Sequence, residues 1–355
     1  MSKTRFLTFI FMLVGTMLLV ACGGGEDDTT GGDAEEATEE PTEEAAGGAK
    51  GAKIAIGPPA SGTNTISKVI LPAHGIEEGD YEEFQEGFGD AADGVQDGNI
   101  DISIGVLGLP AGSIESLQAS VGDVVMLGLA DDAIEEIESI SGYQRYTIPQ
   151  DSYDFLESDI ETVAAYAVLM GNTDTIDEEL GYELARIMVE HADEVTHAQS
   201  VEMTLENALN GAEGIPIHPG AKKYYEEQGL TVDNPVAELS ADEGDRKDEF
   251  ILGTGSQGGT YYPLGGEIAT VWNNHLDSNF TNMETGASVE NLAAMGDGEM
   301  DLGMAVHVPT LQALNGEEDF EGNPIENVAF IGHIYPEIVQ IITRESTGIT
   351  SLDGN

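Results

Sequence analysis

Along this chain, short runs of alternating apolar residues lead into turns of small residues, and a helical period follows. Lys53-Ile54-Ala55-Ile56 predicts a strand, Gly57 to Thr63 a turn, and Ile66, Val69 and Ile70 one face of a helix. The same plan returns at Glu249-Phe250-Ile251-Leu252, followed by a turn of glycines and hydroxyls and a helix with Pro263 near its start. Each half also carries an Asp-Gly helix stop before an alternating strand. One is Asp97-Gly98 ahead of Ile100, Ile102 and Ile104; the other is Asp297-Gly298 ahead of Met300, Leu302 and Met304. Strands that alternate with helices predict α/β lobes with parallel-type sheets, whose ligands sit beyond the strand C-termini. Two such lobes predict an interlobe cleft with a hinge, the type II periplasmic-binding-protein-like plan of a solute receptor.

Other segments fill in the plan. Residues 113–120 and 130–139 predict helices, and 146–149 the end of a strand. The apolar run 163–170 predicts a strand crossing between lobes. Residues 178–192 predict an amphipathic helix, with Leu180, Leu184, Ile187 and Met188 on one face. A short helix is expected over 202–209, and two separate strands over 328–332 and 338–343. Residues 231–247 are acidic and aperiodic, which predicts a linker. The expected division is a second α/β lobe over 49–162, a crossover and the C-terminal part of the first lobe over 163–230, and the N-terminal part of the first lobe with a crossover strand over 248–355.

The first 48 residues have a different composition. Lys3 and Arg5 precede an apolar stretch from Phe6 to Val20, too short to span a bilayer comfortably. Leu19-Val20-Ala21-Cys22-Gly23 reads as a lipobox, with residues 1–22 as a lipoprotein signal peptide and the lipid on Cys22. The expected location is extracytoplasmic, anchored to the membrane. Residues 23–48 lack large apolar groups and are expected to be a disordered acidic tether.

Charge narrows the range of partners. Asp and Glu number 67 against 12 Lys and Arg, a formal net charge of -55 spread over the whole chain. Such a surface repels nucleic acid, so no nucleic-acid partner is expected. It also repels itself unless salt screens it, which points to a salt-rich environment. Cys22 is the only cysteine, so the chain has no internal disulfide and no cysteine metal site. The sequence contains neither a G-x-S-x-G elbow nor an H-E-x-x-H pair, and its histidines are scattered. No catalytic residue, no metal and no cofactor is therefore expected. Gly253, Gly255 and Gly258 do fit a G-x-G-x-x-G dinucleotide pattern. Pro263 and the export signal argue against that use.

Three turns carry the candidate chemistry. Thr254, Gly255, Ser256 and Gln257 follow one strand, Ser288 opens another helix, and Ser61, Gly62 and Thr63 come from the opposite lobe. Hydroxyls, bare N–H groups and helix N-termini together can hold a carboxylate without a full positive charge. The same residues also suit plain helix capping. Tyr261 and Tyr262 can supply an aromatic wall, or simply pack in the core. His307 follows an apolar strand at the expected cleft edge, and Pro110, between Leu109 and Ala111, follows the partner strand in the other lobe.

Several of these segments resemble one family. Gly253 to Gly266, Thr285 to Leu292, Asp301 to Ala305 and His218-Pro219-Gly220-Ala221-Lys222-Lys223-Tyr224-Tyr225 are similar to motifs of the TAXI-type solute receptors of TRAP (tripartite ATP-independent periplasmic) transporters. In that family the glycine-tyrosine motif comes early and the histidine-proline-glycine motif last. Here the order is reversed, which reads as a circular permutation. The resemblance implies a binding protein and not an enzyme. It implies capture of a small carboxylate, a glutamate-like amino acid or a dicarboxylate, for delivery to a TRAP-type membrane permease. A sensory lipoprotein that feeds a membrane signalling protein is the alternative, and turnover of a bound solute would mark an enzyme on the same fold.

Overall fold

Two long antiparallel strands run from one half of the molecule to the other and carry the rest of the sheet. The computed structural model describes residues 47–353. The strands are β1 Lys53–Ala55, β2 Glu82–Phe84, β3 Ile102–Leu107, β4 Val124–Leu127, β5 Gln144–Ile148, β6 Ile160–Asn172, β7 Glu249–Gly253, β8 Asn279–Met283, β9 Leu302–Val306 and β10 Val328–Arg344. The helices are α1 Gly62–Ala73, α2 Phe88–Asp97, α3 Gly112–Val121, α4 Asp131–Ser141, α5 Glu178–Glu190, α6 Pro219–Glu227, α7 Tyr261–His275, α8 Ser288–Gly296 and α9 His307–Asn315.

The sheet order is β2-β1-β3-β10-β6-β9-β7-β8, with β4 added to β10 and β5 to β6. The long strands β6 and β10 pair along most of their length. The later part of β6 pairs β9, and its earlier part pairs β5. The later part of β10 pairs β3 and β4. Each long strand is thus shared, and the fold is the two-lobed α/β one that the sequence predicts. Parallel β7, β8 and β9 build the first lobe, and parallel β1, β2 and β3 the second.

Burial follows the strand period. In β10, Ile341 faces one core of the second lobe with Ile54, Ile66 and Ile134, while Ile342 faces the other with Phe88, Val95 and Met126. The first lobe packs Phe250, Leu252, Leu264, Trp272, Met304 and Phe330 in a single core. The Asp-Gly stops end α2 and α8 as expected; Gly98 takes φ 74°, a left-handed cap that favours glycine.

The structure corrects two elements. Residues 328–332 and 338–343 belong to one 17-residue strand, β10. Pro336 does not end it, because β6 pairs through that stretch and absorbs two register shifts on either side of His333. The helix expected over 202–209 is instead a run of turns after a 3-10 segment, Ala198–Glu202. There the Asn207 amide donates to the Glu202 carbonyl at 3.1 Å, a local bond that competes with a helical ladder.

Residues 231–247 contain no long regular element, but they are pinned. Ala237 N–H donates to the Ile217 carbonyl at 2.9 Å, and Ser240 N–H to the Thr173 carbonyl at 3.0 Å. Arg246 closes the segment against Asp177 at 2.6 Å. Gly47 already bridges Ile349, so the chain is paired just before the expected end of the tether. The expected signal peptide, Cys22 and residues 23–46 lie outside the described residues. Among the described residues, no helix is long and apolar enough to cross a membrane.

Candidate functional site

The strand C-termini of both lobes face one another across a cavity of about 60 Å³. Its walls are turns: Gly57 to Thr63 after β1, Gly255 to Tyr261 after β7, and Gly286 to Ser288 before α8. Three helices, α1, α7 and α8, begin at these walls. Their exposed N–H groups and dipoles favour an anion there.

The lobes touch around the cavity. Gly108 N–H donates to Thr260 Oγ1 at 3.0 Å, and Glu290 N–H to the Ala60 carbonyl at 3.2 Å. Gly258 lies against Gly89 so closely that a Cβ at Gly258 would fall under 3.0 Å from Gly89 Cα. A Cβ at Gly62 would meet Val306 Cγ2 at 3.0 Å and Ser288 Oγ at 3.3 Å. The cleft is therefore closed, and glycines make the approach possible.

The floor comes from β10. Glu337 is 3% exposed and lines the cavity beside Tyr335. The Tyr335 hydroxyl donates to Glu337 Oε1 at 2.5 Å. Burial pushes the Glu337 carboxyl up to about 8, against the pull of the Tyr335 and Tyr261 hydroxyls. The Tyr261 hydroxyl is buried beside Glu337 and Ser288, yet among the described residues it makes no hydrogen bond of good geometry. A buried polar group left free in a cavity is a natural contact for a ligand. Among the described residues, neither lysine nor arginine lines the cavity, whereas two acids, Glu86 and Glu337, do.

The structure sorts the residues expected from the sequence. Ser61, Gly62, Thr63, Gly255, Ser256, Tyr261 and Ser288 line the cavity together. Ser61 also caps α1, accepting from Asn64 N–H at 3.0 Å and donating to the Pro58 carbonyl at 2.7 Å. Ser288 Oγ accepts from Val306 N–H at 3.0 Å, which leaves its proton free. Thr254 lies behind the wall, fully buried, with its hydroxyl on the Met283 carbonyl at 2.7 Å. Gln257 is exposed and donates to Glu284 at 2.8 Å, and Pro110 lines a separate shallow groove with Gln257 and His197. Tyr262 is half-buried and faces away; its carbonyl accepts from Asn282 at 3.0 Å.

His307 is not a cavity residue. Its Nδ1 accepts from Tyr166 N–H at 3.1 Å, and burial holds its imidazole down at about 4. The residues missed were Tyr335 and Glu337. Their signal was an acid inside a long apolar run, two positions from a tyrosine on the same strand face. The histidines are scattered in sequence, but two of them, His191 and His275, converge on Glu194.

The family model described as NMT1-like matches residues 38–229 and 252–354, most of the chain. The chain belongs to the NMT1-like family. Solved structures similar to this NMT1-like protein share little sequence with it. The binding protein component of an ABC phosphonate transporter from Pseudomonas aeruginosa is 8% identical, with a TM-score of 0.40 over 84% of this chain and 72% of its own. A phosphate-binding protein of a phosphate ABC transporter from Streptococcus pneumoniae is 10% identical, with a TM-score of 0.34 over 82% and 88%. An ancestral arginine-binding protein bound to arginine is 10% identical, with a TM-score of 0.33 over 84% and 88%.

Proposed function

We propose that this NMT1-like protein is an extracytoplasmic receptor that closes its two lobes on a small amino acid. The observation that carries the reading is the cavity itself. Three helix N-termini and several hydroxyls line its walls from both lobes, and the buried carboxyl of Glu337 forms the floor. The first suit a ligand carboxylate and the second a ligand ammonium group. A glutamate-like amino acid satisfies both. A dicarboxylate would put a second negative group beside Glu337 and would need that acid to stay protonated. The mechanism is hinge closure about β6 and β10, with no bond made or broken.

Delivery to a TRAP-type permease, and the lipid anchor on Cys22, extend this reading. They are supported by the likeness of Gly253 to Gly266 and His218 to Tyr225 to TAXI motifs, and by the lipobox. The permuted order is supported by the same motifs, since the histidine-proline-glycine segment precedes the glycine-tyrosine segment. Calorimetric titration at pH 8 in molar salt, with amino acids and dicarboxylates matched in length, tests the reading. Saturable one-to-one binding of at least one amino acid, abolished by Glu337→Ala, is expected. Binding of none of the panel overturns it.

A further inference from the structure

On the first lobe, away from the cavity, the ends of two helices bring three metal-ligating side chains to one point. His191 caps the C-terminus of α5, Glu194 follows in the next turn, and His275 is the last residue of α7. Glu194 Oε1 lies 2.8 Å from His191 Nδ1 and 2.9 Å from His275 Nε2. The two imidazoles lie side by side, with ring centres 3.8 Å apart. We propose that His191, Glu194 and His275 bind one divalent transition-metal ion of the zinc, cobalt and nickel class, which staples α5 to α7.

Three features favour a cation here. Two imidazoles and a carboxylate are the donor set such ions prefer over magnesium or calcium, which favour oxygen alone. Ligand atoms bound at about 2.0–2.1 Å lie roughly 2.9–3.4 Å apart around a metal, so the two spacings to Glu194 need little adjustment, and all three ligand atoms already lie within 4.8 Å of one another. Two helices also end at this point, and helix C-termini carry partial negative charge. All three side chains reach the surface, which leaves room for water in the remaining positions. Glu267, also on α7, already accepts from His197 N–H at 3.0 Å, so the segment after α5 is strapped to α7 beside the proposed site. Without a metal, the same trio is a hydrogen-bonded clasp, and only binding separates the two roles.

Titration of the chelator-treated protein with ZnCl2, CoCl2 and MgCl2 in 1 M NaCl tests this, the salt suppressing diffuse cation binding by the acidic surface. One equivalent of zinc or cobalt is expected to bind, to raise the melting temperature, and to resist a hundredfold excess of magnesium. His275→Ala and Glu194→Gln should each weaken zinc binding at least tenfold. His275→Gln keeps a hydrogen-bond donor for Glu194 and should melt like the parent without metal, yet lose the zinc-dependent rise. The proposal is overturned by the absence of one-to-one zinc binding, or by zinc binding that is equal in parent and His275→Ala, which would place the metal elsewhere on the acidic surface. Neither result bears on amino acid binding at the cavity.

Discussion

Glu337 is where the chemistry of one residue reaches furthest. Its carboxyl titrates at about 8 in the fold against an ordinary 4.5. Folding therefore favours the neutral acid. The stabilisation is complete below about pH 4.5 and drains away as pH rises through 8, a loss of roughly 3–5 kcal/mol. Glu337→Gln should flatten that alkaline limb, so that in pH-dependent denaturant melts the variant matches the parent at pH 5 and exceeds it at pH 8.5. Ligand binding reads the same proton. An ammonium ligand needs the ionised acid, so its affinity should climb up to about tenfold per pH unit between pH 6 and 8 and then level. A dicarboxylate needs the neutral acid and should instead lose affinity above pH 8, so calorimetry across that range separates the two ligand classes. His307 and His333 act in the opposite sense. Burial holds both at about 4, so their stabilisation is full above about 6.5 and is lost as pH falls through 4. That acid limb should survive in Glu337→Gln.

Among the elements, the turns do more than connect. Gly258→Ala would drive a methyl group into Gly89 of the other lobe. Overpacking of this kind costs about 1–3 kcal/mol, and here it falls on the closed form alone. Ligand affinity should drop roughly 5- to 150-fold with the unfolding midpoint nearly unchanged, as titration and melting together would show; a large fall in midpoint would mean that the contact holds the fold and not the closure. Ala287, the N-cap of α8, sits at φ 79° and ψ −138°, a region that suits glycine. Ala287→Gly should stabilise by about 1 kcal/mol in the same melts. Strand, turn and helix were legible in these stretches because periods of two and 3.6 were clean. The cavity wall was legible in part, since Ser61, Gly255 and Ser288 stand where strands end. Glu337 was not, because Pro336 and an acid read as a break. Only pairing with β6, remote in sequence, carries β10 through them. Nor was the histidine cluster, since Glu194 and His275 stand 81 positions apart.

For the molecule as a whole, charge is the dominant variable. A formal charge of -55 is spread over the whole chain. Several of the few cations are already engaged, Arg145 with Asp131 and Glu161, Arg344 with Asp123, and Arg246 with the buried Asp177. The exposed pairs among them contribute about 0–1 kcal/mol each, so screening those loses little. Repulsion among the remaining carboxylates outweighs these pairs. It acts over a screening length of about 10 Å at 0.1 M salt and only about 3 Å at 1 M. The melting temperature should therefore rise by about 10 °C or more between 0.1 and 2 M NaCl, with most of the gain below 1 M. Sucrose stabilises by exclusion from the surface and leaves the charges unscreened, so it serves as the control. A melting curve indifferent to NaCl, or one raised equally by sucrose, would show that the acidic surface keeps the protein soluble without governing its stability. A steep early rise specific to salt would instead make ionic strength part of the folding equilibrium, and would require ligand affinities to be compared at a fixed molar salt concentration.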